Sequence, residues 1–310
     1  MITSFYDIPQ AEIEIVCVVT NKPCLTPSRA FGSFPVRLAM DGAINRLARE
    51  LDLDPLEVVR KNLVTVFPYV TATGNFLDSG DFVGGFDKLV ETIDVASVRE
   101  LQAKLREQGR FIGLGFGGET ERSGVSSKAY VPRQRKPGYG VATVKVLNSG
   151  KIHVLVGDPP SGQSHETVIS QVLADEFGVT PDDVRLDYGD TLSTPYGMGN
   201  VGNRMASYTV SAAVLAAREL KKKIGLVAAH DLGIDASPDE FTFENGEIVW
   251  VKDREIRTQL RAVAVHLIEC PIQLPQGTEP GLEHTAYFEP QNVPNMTGAS
   301  FHCAVVEVMP

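Results

Sequence analysis

Hydrophobic and polar positions mark out one element after another along this chain. The stretch AEIEIVCVVTN (11–21) alternates and then turns apolar, which predicts a strand. A Pro/Gly/Ser-rich loop, KPCLTPSRAFGSFP (22–35), follows. In VRLAMDGAINRLARELD (36–52), Leu38, Ile44, Leu47 and Leu51 recur at helical spacing. A second helix is expected over 53–64, with Asp54 as its N-cap and Pro55 at its first position. Segment 69–109 is turn-rich in its first half and helical in its second, and Asp78-Ser79-Gly80-Asp81 reads as a capping turn between them.

RFIGLGFGGE (110–119) returns to strand-like alternation, and GVATVKVLNSGKIHVLVGD (140–158) is a pair of strands turning at Asn148-Ser149-Gly150. HETVISQVLADEFG (165–178) is a helix stopped by Gly178, and PDDVRLDYGDTL (181–192) is a strand. MASYTVSAAVLAARELKKKI (205–224) is a helix, and FTFENGEIVWV (241–251) a hairpin at Asn245-Gly246. The tail ASFHCAVVEVMP (299–310) is an apolar strand with no hairpin partner beside it in sequence. Strands and helices mix without a regular βαβ beat, so the expected class is α+β, mixed sheets with packed helices, divided near residue 109.

Composition narrows this picture. At 310 residues and 43% apolar, the chain can bury one large core or two ordinary ones. A net charge of −10 argues against nucleic acid as a partner, and Lys221-Lys222-Lys223 reads as the solvated C-terminal end of a helix. No apolar run is long enough to span a bilayer, and no secretory pattern opens the chain. Cys17, Cys24, Cys270 and Cys303 show no close pairing, so they are expected as buried thiols of a reducing, cytoplasmic compartment.

Common catalytic signatures are absent. GLGFGG (113–118) sits on a strand, but the residues after it are polar and not helical, so it is a poor dinucleotide fingerprint. There is no Walker A motif and no G-x-S-x-G elbow, and the six histidines are dispersed. Three loops remain. Arg29-Ala30-Phe31-Gly32 offers a guanidinium and an aromatic ring beside a glycine. Gly162-Gln163 sets a carboxamide at a helix entrance. Residues 199–204 place several backbone N–H groups ahead of a helix, a natural anion seat. Each alone is explained by turn and cap chemistry; their combination in this order is not.

In that combination the chain resembles the molybdopterin-binding subunit of the xanthine dehydrogenase and aldehyde oxidase family, the molybdenum hydroxylases. SRAFGSFP (28–35), DPLEVVRKNL (54–63) and TATGNFLDSGDF (71–82) resemble that family's YRGFG loop, its following helix and its DSGD segment. SGQSHETVISQ (161–171) is similar to its GQG–HET loop and helix, and YGDTLSTPYGMGNVGNRM (188–205) to the stretch after it. The resemblance runs through essentially the whole chain.

It implies a fold like the family's cofactor-binding domains, with residues 1–109 ending one such domain and 110–310 beginning the next. By position, Gln163 and Gly162 hold the pterin, Gly202, Asn203 and Met205 bind cofactor, and Arg29 and Ala30 pass beside the metal without ligating it. Phe31, Glu119 and Thr120 fall at substrate-facing positions. Ser164 stands where the family has the second glycine of GQG, Ala30 where it has glycine, and Asn203 and Met205 where it has serines. Ala30 is also not the cysteine of the carbon-monoxide-oxidising branch.

The implied cofactor is molybdenum–molybdopterin, in mononucleotide or cytosine dinucleotide form, with iron–sulfur clusters and FAD on partner subunits. The implied activity oxidises an aromatic N-heterocycle or an aldehyde with water-derived oxygen. The resemblance puts the catalytic glutamate outside these residues, on a chain supplying the remaining segments. A non-catalytic homologue, serving as a structural or assembly module, is the competing expectation.

Overall fold

The computed structural model describes residues 2–23, 30, 32–122, 138–291 and 296–308. In chain order its elements are α1 (Ser33–Glu50), α2 (Pro55–Lys61), β1 (Tyr69–Val70), β2 (Phe76–Leu77), α3 (Phe82–Ile93), α4 (Val95–Glu107) and β3 (Phe111–Arg122). Then come β4 (Gly140–Val146), β5 (Ile152–Val156), α5 (His165–Phe177), β6 (Val184–Tyr188), a π-helical turn (Met205–Val210) and α6 (Ser211–Leu232). The chain continues through β7 (Phe241–Glu244), β8 (Glu247–Trp250), β9 (Arg257–Gln259), α7 (Leu260–Glu269), β10 (Glu283–Phe288) and β11 (Met296–Val308). It forms two compact units, residues 1–122 with 294–310, and residues 123–293.

In the first unit, β3 and β11 form a long antiparallel ribbon from Phe111↔Val308 to Arg122↔Met296. The tail strand therefore finds its partner far back in the sequence, which local turn signals could not reveal. Phe5, Phe82 and Phe86 are buried together, and Phe301 of β11 packs edge-on against Phe86. The caps follow side-chain chemistry: Asp54 accepts from the Leu56 N–H at 2.9 Å and Asp81 from the Gly84 N–H at 2.8 Å. Arg99 also grips Asp54 through two guanidinium nitrogens, which holds that carboxyl below its ordinary range. Gly115 and Gly117 of GLGFGG line a cavity of about 440 Å³ with Asp41, Asn45 and Arg49 of α1. The stretch 11–21, expected as a strand, is assigned to no strand and is exposed throughout.

The second unit is built on a sheet of order β10-β4-β5-β6. Its first three strands are antiparallel, while β5 and β6 run parallel with α5 between them in sequence. One βαβ crossover thus exists where no regular beat was expected. Ile169, Leu173 and Phe177 of α5 are buried with Val154 and Val156 of β5. Ala212, Ala213, Ala216 and Ala217 bring α6 close to the sheet, because small side chains allow near approach of backbone. The Asn245-Gly246 turn has both residues at positive φ, as a two-residue hairpin requires.

Two expectations need correction. Helix α6 runs on to Leu232 and ends at Gly233, so Lys221–Lys223 lie mid-helix. Lys221 pairs with Glu176 at 3.2 Å and lies over the Phe243 ring, and Lys223 donates to the Gly281 carbonyl at 2.8 Å. The apolar pattern at Leu226, Val227 and Ala228 carries the helix past the basic run. The cysteines are not uniformly buried: Cys17 is exposed, Cys270 and Cys303 are half-buried, and Cys24 lies outside the described residues. Among the described residues, no helix is long and apolar enough to cross a membrane.

Phe177 is fully buried and joins α5 to the sheet, so Phe177→Ala should cost about 3–5 kcal/mol in a urea unfolding titration. A loss under about 1 kcal/mol would show that this layer is not a packed core.

Candidate functional site

Two loops leave the carboxyl ends of the adjacent parallel strands β5 and β6, the edge where open α/β sheets present ligand sites. One runs over 157–164 into α5; the other runs over 189–204 into the π turn and α6. They touch at backbone level: a Cβ on Gly157 would collide with the Pro195 carbonyl and the Gly197 N–H, so only glycine permits the approach.

Asp158 ties the loops together. It is 3% exposed. One carboxylate oxygen accepts from the Gly199 N–H at 2.8 Å, and the other from the Thr209 hydroxyl at 2.7 Å. Arg204, equally buried, lies 3.8 Å from Asp158 and balances its charge. Its guanidinium donates to the carbonyls of Gly199 at 3.2 Å and Tyr139 at 3.0 Å, and stacks 4.6 Å from the Tyr208 ring centre. The π turn brings Tyr208 so close to the first residue of β4 that a Cβ on Gly140 would strike its backbone. π turns of this kind recur at functional sites.

At the head of α5, His165 is nearly buried and its Nε2 meets the Asn200 side-chain amide at 3.1 Å across the two loops. Its Nδ1 is buried without a partner, and burial holds the ring's pKa below its ordinary value.

The sequence candidates fall unevenly on this frame. Gly162, Gln163, Gly202 and Asn203 all lie on the two loops, and Met205 opens the π turn. Gln163 is exposed, with its carbonyl oxygen accepting from the Ser161 N–H at 2.6 Å. Met205 has its side chain in the apolar core, so only its backbone faces the loop. Around Gly162, Gly199 and Gly202 the space that a Cβ would enter is open, and all three have positive φ. Asp158 and Thr209 escaped the sequence reading, as did the side-chain roles of Asn200 and Arg204 within the 199–204 loop that it singled out. An Asp between an apolar strand and Pro-Pro was the one available signal.

In the first unit, Arg29 and Phe31 lie outside the described residues. Ala30 has φ 70°, and its carbonyl accepts from the Ser33 N–H at 2.6 Å at the start of α1. Thr120 is buried and bonded to Ser4 through both its N–H, at 3.0 Å, and its hydroxyl, at 3.2 Å. Glu119 and Glu121 share one face of β3, within electrostatic reach of buried Arg37. Burial pulls the Arg37 guanidinium down from its ordinary value, and these carboxylates with Asp41 oppose that shift. Burial and the neighbouring Glu119 push the Glu121 carboxyl up.

Ala30 and Ser164 stand at φ 70° and 58°, where an L side chain costs about 1–2 kcal/mol. Ser164→Gly should therefore raise stability by about 1 kcal/mol in urea titration. Gly157→Ala should lower it by about 1–3 kcal/mol. Equal and opposite results would mean that the loop backbone is not held as described.

Two family models, both described as a molybdopterin cofactor-binding domain, match residues 1–63 and 88–310. The nicotine 6-hydroxylase large subunit of Paenarthrobacter nicotinovorans is 30% identical over 99% of this chain and 37% of its own length. The carbon monoxide dehydrogenase large chain of Afipia carboxidovorans is 28% identical over 99% of this chain and 38% of its own. Quinoline 2-oxidoreductase from Pseudomonas putida 86 superposes with a TM-score of 0.87 at 27% identity, over 99% of this chain and 39% of that one. The chain thus spans less than two fifths of the length of these relatives. With a single family model matching residues 88–310, and the loops of that region pinned as described, the chain belongs to the molybdopterin cofactor-binding domain family of the molybdenum hydroxylases.

Proposed function

We propose that this chain is the molybdopterin-binding component of a molybdenum hydroxylase acting on an aromatic N-heterocycle, with an aldehyde as the other substrate class. The observation that carries the reading is the pair of glycine-bearing loops at the ends of β5 and β6, locked by Asp158 and Arg204. Their chemistry fits the group. Open backbone at Gly162, Gly199 and Gly202 and a buried unpartnered His165 Nδ1 suit a ligand with phosphate and heterocyclic polar atoms. The names of two similar proteins, a nicotine hydroxylase and a quinoline oxidoreductase, favour the N-heterocycle.

When bound, the molybdenum–pterin group supplies the redox chemistry, and the protein supplies binding and orientation. Gln163 would hold the pterin through its exposed carboxamide, whose oxygen accepts from the Ser161 N–H in this structure. Gly162, Gly202 and Asn203 approach through backbone, as does Met205, whose side chain remains in the core. Arg29 and Ala30 belong to the cofactor side, beside the metal, and Phe31, Glu119 and Thr120 to the substrate side. Thr120 serves there as an anchor, since both its polar groups are engaged by Ser4.

In family terms, residues 1–109 end one cofactor domain and 110–310 begin the next. The iron–sulfur clusters and FAD come from partner subunits, in the cytoplasm, and none of the residues placed above takes the part of the catalytic glutamate. Purification with those partners should yield about one molybdenum and one pterin per chain by elemental analysis and pterin fluorescence. Gln163→Ala should weaken cofactor retention about tenfold, the worth of one hydrogen bond to a polar ligand. A complex free of metal and pterin would contradict the proposal and favour the assembly module.

A further inference from the structure

The loop that carries Gln163 is held at both of its ends by consecutive residues of the other loop. At its start Asp158 accepts from the Gly199 N–H at 2.8 Å, and at its end the His165 Nε2 meets the Asn200 side-chain amide at 3.1 Å. Between these points the bond from Ser161 to Gln163 is internal to the loop, and the space that a Cβ on Gly162 would enter is open. The placement of Gln163 therefore comes from the two ends. The first end is a carboxylate 3.8 Å from Arg204; the second depends on an imidazole.

The neutral ring suits this position and the charged ring does not. Nε2 accepts from the Asn200 amide only when the ring is neutral, with its hydrogen on Nδ1. Turning the amide over would give a protonated Nε2 an acceptor, but the charge would stay in a side chain that is 5% exposed. It would also sit on the first residue of α5, where the helix presents its positive end, with Nδ1 unpartnered among the described residues. Two carboxylates favour the charged ring, and both are engaged elsewhere. Asp158 is taken up by Gly199, Thr209 and Arg204, and Glu166 accepts from the Tyr188 hydroxyl at 2.6 Å. Burial outweighs them and holds the ring below its ordinary value.

We infer that His165 is a positioning residue: as a neutral ring it fixes the far end of the Gln163 loop to Asn200, and on taking up a proton it releases that end. Its consequence for the cofactor, weaker retention in acid, rests on the reading that Gln163 meets the pterin. The direction follows from proton linkage. With the loop closed the ring is held below its ordinary value, so the closed loop binds fewer protons than the open one. Closure keeps its full strength above about pH 6.5 and weakens by up to about tenfold per pH unit below it.

Nitrogen-15 NMR of the full chain, free of cofactor, tests the tie itself. At about pH 7 the His165 ring should be the neutral Nδ1–H tautomer, and it should titrate below about 6.5. The Gly162 and Gln163 amide signals should move with the same midpoint. Asn200→Asp turns a carboxylate toward the ring and should raise that midpoint by at least about one unit. His165→Gln offers Asn200 an amide that does not titrate, so the loop signals should then stay constant with pH. In the loaded complex, pterin released into solution should increase as the pH falls below about 6.5, and His165→Gln should abolish that dependence.

A ring that titrates at its ordinary value or above overturns the inference, as does one that titrates while the Gly162 and Gln163 signals stay fixed. An acid response that persists in His165→Gln also overturns it, and that comparison decides the matter if Asn200→Asp does not fold. A loop that follows His165 in a protein whose complex carries no pterin leaves the inference standing and contradicts the proposed function. A pterin-loaded complex whose retention and loop signals ignore His165 does the reverse.

Discussion

The second unit depends on one buried carboxylate. Asp158 leaves β5, accepts from the Gly199 N–H and from Thr209 in the π turn, and faces the Arg204 guanidinium. Two loops and a helix start are thereby fixed to a single side chain. A buried ion pair is weak evidence of net stability, because desolvation offsets most of its Coulomb gain. Its value here is geometric. Removing one member would leave the other buried without its counter-charge, a cost that ties the two loops to this arrangement.

Pinning of that kind explains how the loops tolerate their backbone. Ser164 and Asn203 both lie in the left-handed region, and Asn is the one of the two that adopts it readily. Ser164 therefore holds strain in one of the two loops that Asp158 ties together. Such strain persists where surrounding contacts over-determine the backbone. Gly157 shows the opposite constraint, a place where any side chain would force the loops apart.

Much of this was legible in the sequence. The α1, α2 and α5 patterns, the Asp54 and Asp81 caps, and the Gly178 and Asn245-Gly246 turns all rest on local chemistry, and local chemistry is what a sequence displays. What escaped was non-local. The pairing of β3 with β11 joins strands separated by most of the chain. The apolar pattern after its lysines carries α6 onward, but the partners those lysines find, Glu176 and Gly281, are announced by no periodicity. The candidate loops were visible through Gln163 and the 199–204 glycines, but Asp158, which organises them, looked like an ordinary turn residue. The unpaired stretch 11–21 is a different case: its β pattern is plain, and its partner is not among the described residues.

The central claim is that Asp158 holds the loops in place in the protein by itself, ready for a cofactor. Amide hydrogen exchange at Gly199 measures this directly. The native protein should protect that N–H, and Asp158→Ala should speed its exchange at least about tenfold while Val154 in the sheet stays slow. A Gly199 amide that exchanges as a free peptide in the native protein, or one unchanged by the substitution, would contradict the account.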